Sequence, residues 1–136
     1  MTTVQEAFIA VVKAAVPAGV KVFDSIVTGN TTAQYVAVYP DNGDRTQGAA
    51  QGFNDGKFRF QITSVASGSV QLGQELRGLR KRVSDALIGV RLVADGWLCG
   101  PVESDFSNKP LADESALPTP TVYGTDGFVL LADRLT

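Results

Sequence analysis

Two groups of side chains have the types and spacing that chemistry needs. Asp41, Asp44 and Asp55 share one glycine-rich stretch with Arg45, while Arg77, Arg80, Lys81 and Arg82 crowd a second, helical stretch. Clustered carboxylates can hold a cation, or divide into acid and base. The run Asp41-Asn42-Gly43-Asp44-Arg45, however, continues into Thr46, Gln47 and small residues, without the alternating ligands and closing glutamate of a calcium loop. Gly43 to Gly56 has no Gly-Lys-Ser/Thr ending and does not open onto a helix, so it lacks the form of a phosphate loop. The chain has no histidine, which removes the commonest general base at neutral pH, the usual nucleophilic triads and most catalytic zinc sites. No catalytic, cofactor-binding or metal-ligating set is expected.

Positive charge on the second stretch can meet nucleic acid phosphates, a neighbouring subunit's carboxylates, or water. Basic residues late in a helix are favoured by its dipole, and Asp85 lies four residues from Lys81 and three from Arg82, which predicts a solvated, locally paired face. Tyr35, Tyr39 and Phe53 flank the glycine-rich stretch, where aromatic side chains serve either as interface anchors or as core. Trp97 and Cys99 share one parity of a strand, for which packing is sufficient explanation.

Several elements must position these residues. Val4, Phe8, Val11, Val12 and Ala15 form a helical stripe over 3–16, with Thr3 and Glu6 spaced as a capping box and Pro17 and Gly19 ending the run. Val20-Lys21-Val22 supports a short, irregular strand. Residues 33–39 carry β-branched and aromatic side chains on both parities, predicting a strand covered on both faces and ended by Pro40. The stretch 40–56 reads as a long flexible loop, and a loop of that length calls for binding or for ordering on assembly.

Residues 57–63 alternate strictly, Phe58, Phe60 and Ile62 against Lys57, Arg59, Gln61 and Thr63. Ser67 or Ser69 then caps a helix carrying Leu72, Leu76, Leu79, Val83, Ala86 and Leu87, and Gly89 ends it. Strands at 90–93 and 97–102 flank an Asp95-Gly96 turn, the second of them an edge or bulged strand because of Gly100-Pro101. The proline-rich stretch 104–121 reads as loop, and a final strand pair, Thr121–Tyr123 and Phe128–Ala132, closes the chain. The order predicts an α+β fold over 1–136 as one domain, a mostly antiparallel sheet packed against two amphipathic helices.

Composition narrows the function classes. A hydrophobic fraction of 44% with 19% charged residues excludes disorder, and a formal charge of −2 gives no broad cationic surface for nucleic acid or anionic lipid. One cysteine excludes an internal disulfide and fits folding in a reducing compartment. The first residues lack the basic region and long apolar run of a secretory signal, and no stretch approaches a membrane span.

The leading amphipathic helix, the strand Tyr35-Val36-Ala37-Val38-Tyr39-Pro40, the glycine-rich loop, the strand Phe58-Arg59-Phe60-Gln61-Ile62-Thr63-Ser64 feeding a helix with Arg80-Lys81-Arg82-Val83, and the final strand together resemble the tail terminator, or tail completion, proteins of long-tailed bacteriophages. The resemblance implies an α+β virion subunit at the head-proximal end of the tail, assembled in the host cytoplasm. It also implies a homohexameric ring that caps the tail tube, stops its polymerisation and offers the head-joining surface. Its partners would be itself, the tail tube protein and a head completion or neck protein, without membrane or specific nucleic acid binding, though DNA would pass through the ring. On this reading Asp41, Asp44, Arg45, Phe53, Asp55, Arg77, Arg80, Lys81 and Arg82 are interface or lumen residues and no enzyme activity is expected. The alternatives are a head completion or neck connector and, outside the virion, a cytoplasmic ligand-binding α+β module.

Overall fold

The computed structural model describes residues 2–27, 34–41, 55–68, 71–112 and 120–135. Helix α1 (Val4–Ala15) is followed by strands β1 (Lys21–Asp24), β2 (Gln34–Asp41) and β3 (Asp55–Ser67). Helix α2 (Leu72–Leu87) then leads to β4 (Arg91–Ala94), β5 (Trp97–Pro101), β6 (Glu103–Ser107), β7 (Leu111–Ala112) and β8 (Thr121–Arg134). The strands form one sheet in the order β1-β2-β3-β8-β5-β4, and β6 and β7 continue along the β8 edge after β5. Among the described strands only the β1–β2 pairing is parallel. The α+β expectation holds.

Both helices lie on one face of this sheet. Val4, Phe8, Ile9 and Val12 of α1 and Leu79, Val83 and Leu87 of α2 meet Val36, Val38, Phe58, Phe60, Ile62, Phe128 and Leu130 in a single buried cluster. The Phe8 ring stacks on Phe60 at 3.8 Å between centroids and leans on Phe128. The strict alternation of 57–63 therefore does what its period predicts, putting every second side chain into this layer. Thr3 caps α1 as expected, its hydroxyl accepting from the Glu6 N–H at 3.0 Å. Gly89 (φ +84) and Gly96 (φ +82) take the left-handed conformation that a helix terminator and a tight hairpin require.

Several expectations are corrected. β2 does not stop before Pro40 but continues to Asp41, because β1 pairs only with Tyr35 to Val38. Beyond Val38 no described strand lies on that side of β2, and a residue without an N–H is tolerated there. β3 likewise begins at Asp55, so the expected loop is shorter at both ends, and 42–54 lies outside the described residues. Helix α2 is preceded by Gln71 rather than by a capping serine: Ser67 ends β3, and Ser69 lies outside the described residues.

The stretch 104–121 is not loop throughout, since β6 and β7 pair with β8 there. The expected final pair is one continuous strand through Gly124 and Gly127, for a steric reason. A Cβ on Gly124 would stand 2.5 Å from the Arg80 guanidinium, and one on Gly127 would collide with the Phe106 ring. β5 is internal between β8 and β4 rather than an edge, and it does carry the expected bulge, two residues facing Leu92 between Arg91↔Pro101 and Val93↔Leu98.

Candidate functional site

Of the expected interface residues, the structure separates two groups. Asp41 ends β2 and Asp55 begins β3, in register with Arg59 and Asp133 respectively. Asp44, Arg45 and Phe53 lie outside the described residues. On α2, Arg77, Lys81 and Arg82 are exposed, and Lys81 donates to Asp85 at 2.7 Å, the predicted local pair. The Asp85 carboxylate raises the Lys81 ammonium above its ordinary range through that hydrogen bond.

Arg80 is different, because it turns inward. Its Nε donates to Asp126 Oδ2 at 2.9 Å and its Nη2 to Asp126 Oδ1 at 2.8 Å, a bidentate pair in which the side chains are 12% and 10% exposed. Nη2 also reaches the Ser107 hydroxyl at 2.9 Å and the Asn108 carbonyl at 2.8 Å, and Ser107 Oγ donates to Asp126 Oδ1 at 2.6 Å. A guanidinium suits this place because its planar fork matches a carboxylate with two parallel bonds. Gly124 leaves the room that the fork occupies. The result fastens α2 to β8 and to the end of β6; it leaves the Arg80 head little to offer a partner.

The sequence signal for this centre was Asp126 between two glycines in an apolar run, which also has the form of a turn. Only the partner from α2 distinguishes the two.

Cys99 is buried within the core and its thiol is pushed up by that burial, so packing accounts for it. Trp97 packs edge-on against Phe58 at 5.1 Å, with the Arg134 guanidinium 5.0 Å from its ring centre. Among the described residues no group of three or more acidic, cysteine or histidine side chains converges on a metal-sized space. No described helix is long and apolar enough to cross a membrane.

The sheet face away from the helices is the other feature. Tyr39 and Pro40 on one side and Asp105 and Phe106 on the other bound an open cleft of about 500 Å³, with Arg59 and Gln61 between them. Val93, Leu98 and Leu131 lie further along the same face and are 87%, 62% and 64% exposed. Exposed apolar side chains mark a contact surface where they form one contiguous patch, and Val93 and Leu98 are cross-strand neighbours.

No family model matches the sequence, and no curated protein matches it. Solved structures do. Its fold is shared with a virion chain. That chain belongs to the virion of a native gene transfer agent particle; it is 19% identical, and the alignment covers 93% of this chain and 84% of that one at a TM-score of 0.61. A second solved chain, 18% identical, aligns over 93% of this chain and 89% of its own at a TM-score of 0.47. At 19% identity the likeness to the first of these concerns backbone architecture alone, over 93% of this chain.

Proposed function

We propose that this chain is a non-enzymatic structural subunit of a virion, and that it acts as a tail terminator: a ring, hexameric on this reading, that caps the tail tube, ends its polymerisation and offers the surface to which the head joins. The observation that carries the reading is the near-complete alignment with a chain of a gene transfer agent virion. The sequence resemblance to tail terminators supports the finer assignment. The chemistry of the described surface agrees, since it carries bare aliphatic and aromatic side chains, while the Arg80–Asp126 pair is satisfied internally. Those groups suit assembly through contacts.

On this reading Arg77 and Arg82, and the segment between Asp41 and Asp55, contact the tube or the neighbouring subunit. The test is light scattering and negative-stain imaging of the purified chain with and without tube protein. Rings seated on tube ends, and tubes whose length stops growing once the chain is added, are the expected result. A chain that stays monomeric and leaves tube growth unchanged overturns the assignment, and rings that join only the head-side connector reassign it to the neck.

A further inference from the structure

We propose that a second copy of this chain packs face to face on the bare side of the sheet, about a two-fold axis that runs along β8. The contact is isologous, so it goes beyond the ring reading above, in which neighbours meet head to tail.

The strand registers fix what that face presents. Arg59 on β3 pairs with Val129 on β8, and Val129 pairs in turn with Glu103 on β6, so a cation, an aliphatic side chain and an anion stand in one row across three strands. The row projects away from the helices, because Phe58, Phe60, Phe128 and Leu130 take the alternate positions in the core. The next row holds Gln61, Gly127 and Phe106, with Tyr39 beyond Gln61 on β2. There the Phe106 ring lies in the room that a side chain on Gly127 would fill. The row on the other side of Val129 holds Lys57 and Leu131. Arg59, Glu103, Phe106 and Leu131 are exposed, and among the described side chains neither Arg59 nor Glu103 has an ion partner.

A two-fold rotation about β8 lays each row of one copy over the same row of the other in reversed order. Val129 and Leu131 then meet their own counterparts on the axis. Arg59 of each copy faces Glu103 of the other, which gives two equivalent ion pairs beside an aliphatic centre. In the next row Phe106 of each copy comes over Gln61 of the other, into the cleft of about 500 Å³ that Tyr39 and Phe106 bound. Sheets that pack face to face keep their strands within about 30° of one another at a separation of about 10 Å, which this axis allows.

Charge selects this axis over the other two-fold in the plane of the contact. An axis across the strands lays β3 over β3 and brings Lys57 of one copy toward Arg59 of the other, like beside like, twice. The axis along β8 carries Lys57 toward Gly100, where no side chain stands.

The test is sedimentation velocity of the full chain over a concentration series, in which a reversible dimer is expected. Arg59→Glu and Glu103→Arg should each weaken it by roughly tenfold or more, since both reciprocal pairs turn repulsive. An equal mixture of the two variants should dimerise again, because each offers the charge the other lacks. Val93→Glu, on the same face but outside the contact, should dimerise like the wild type, and thermal midpoints near the wild-type value show that the variants fold. In a Cys99→Ala background, Leu131→Cys should let a short bismaleimide couple identical chains in pairs and no further. A mixture that associates no better than its parts, or chains that do not couple through position 131, overturns the inference. So does a wild-type chain that stays monomeric; if Arg59→Glu then abolishes the capping of tube ends, the face belongs to the tube protein. Dimers that neither form rings nor cap tubes support this inference and overturn the ring reading, whereas rings without coupling through position 131 overturn this inference alone.

Discussion

Replacing Arg80 by alanine should be among the most damaging single changes in this chain, although the residue sits in a helix stretch rich in exposed basic side chains. The change removes both arms of the pair to Asp126, at 2.8 and 2.9 Å, and leaves a carboxylate only 10% exposed on its side chain with Ser107 as its remaining side-chain partner. Breaking a buried pair by deleting one member costs about 3–5 kcal/mol, because the surviving charge stays desolvated and uncompensated. For a domain of this size each kcal/mol moves the midpoint by roughly 3–5 °C, so a drop of about 10–20 °C is expected by calorimetry.

Amides of β6 near Ser107 and Asn108 should also exchange faster, since Arg80 holds the Asn108 carbonyl. Removing both charges, Arg80→Met with Asp126→Leu, should recover most of the loss, because no isolated charge remains. A fall of less than about 1 kcal/mol for Arg80→Ala, or a double variant as unstable as the single one, would refute the reasoning.

Gly127→Ala and Gly124→Ala should each destabilise by about 1–3 kcal/mol in denaturant titrations, by overpacking against Phe106 and Arg80 respectively. An unchanged midpoint would mean that neither contact is tight. Ser64 is fully buried, and its hydroxyl has no hydrogen-bond partner among the described residues, so Ser64→Ala should be neutral or stabilising by about 1 kcal/mol. A clear loss of stability would reveal a partner for it. Burial raises the Cys99 thiol, so the folded chain keeps its proton at pH values where the unfolded chain has begun to lose it. Its contribution is therefore intact below the ordinary thiol range of about 8.5 and declines as pH rises above it. Cys99→Ala should flatten the alkaline part of the stability profile, and a profile of unchanged shape counts against that origin.

Periodicity alone placed most core-facing residues of α1, α2 and β3, Ile9 of α1 being buried outside the expected stripe, because a side chain's face follows from 3.6 or 2 residues per repeat whatever the element packs against. Phe8, Leu79 and Phe60 are buried where those repeats put them. Glycine and proline were less decisive. Gly89 and Gly96 need positive φ for local reasons, and so were readable; Gly124 and Gly127 are glycine because Arg80 and Phe106 arrive from distant segments. Pro40 ended its strand on paper and continues it in the structure, since whether a missing N–H matters depends on whether a neighbouring strand reaches that far.

The candidate sites divide along the same line. Lys81 and Asp85 sit four residues apart on one helix, so their pairing was written in the sequence. Arg80 belongs to the same basic run, yet 46 residues separate it from Asp126, and only the sheet's closure brings the two to 2.8 Å. The sequence by itself determined which residues are apolar, which faces they share, and that no histidine-based chemistry is available. Tertiary structure decided which charges are internal, which strands are edges, and which apolar residues remain bare, because each depends on contacts between segments that no local repeat encodes.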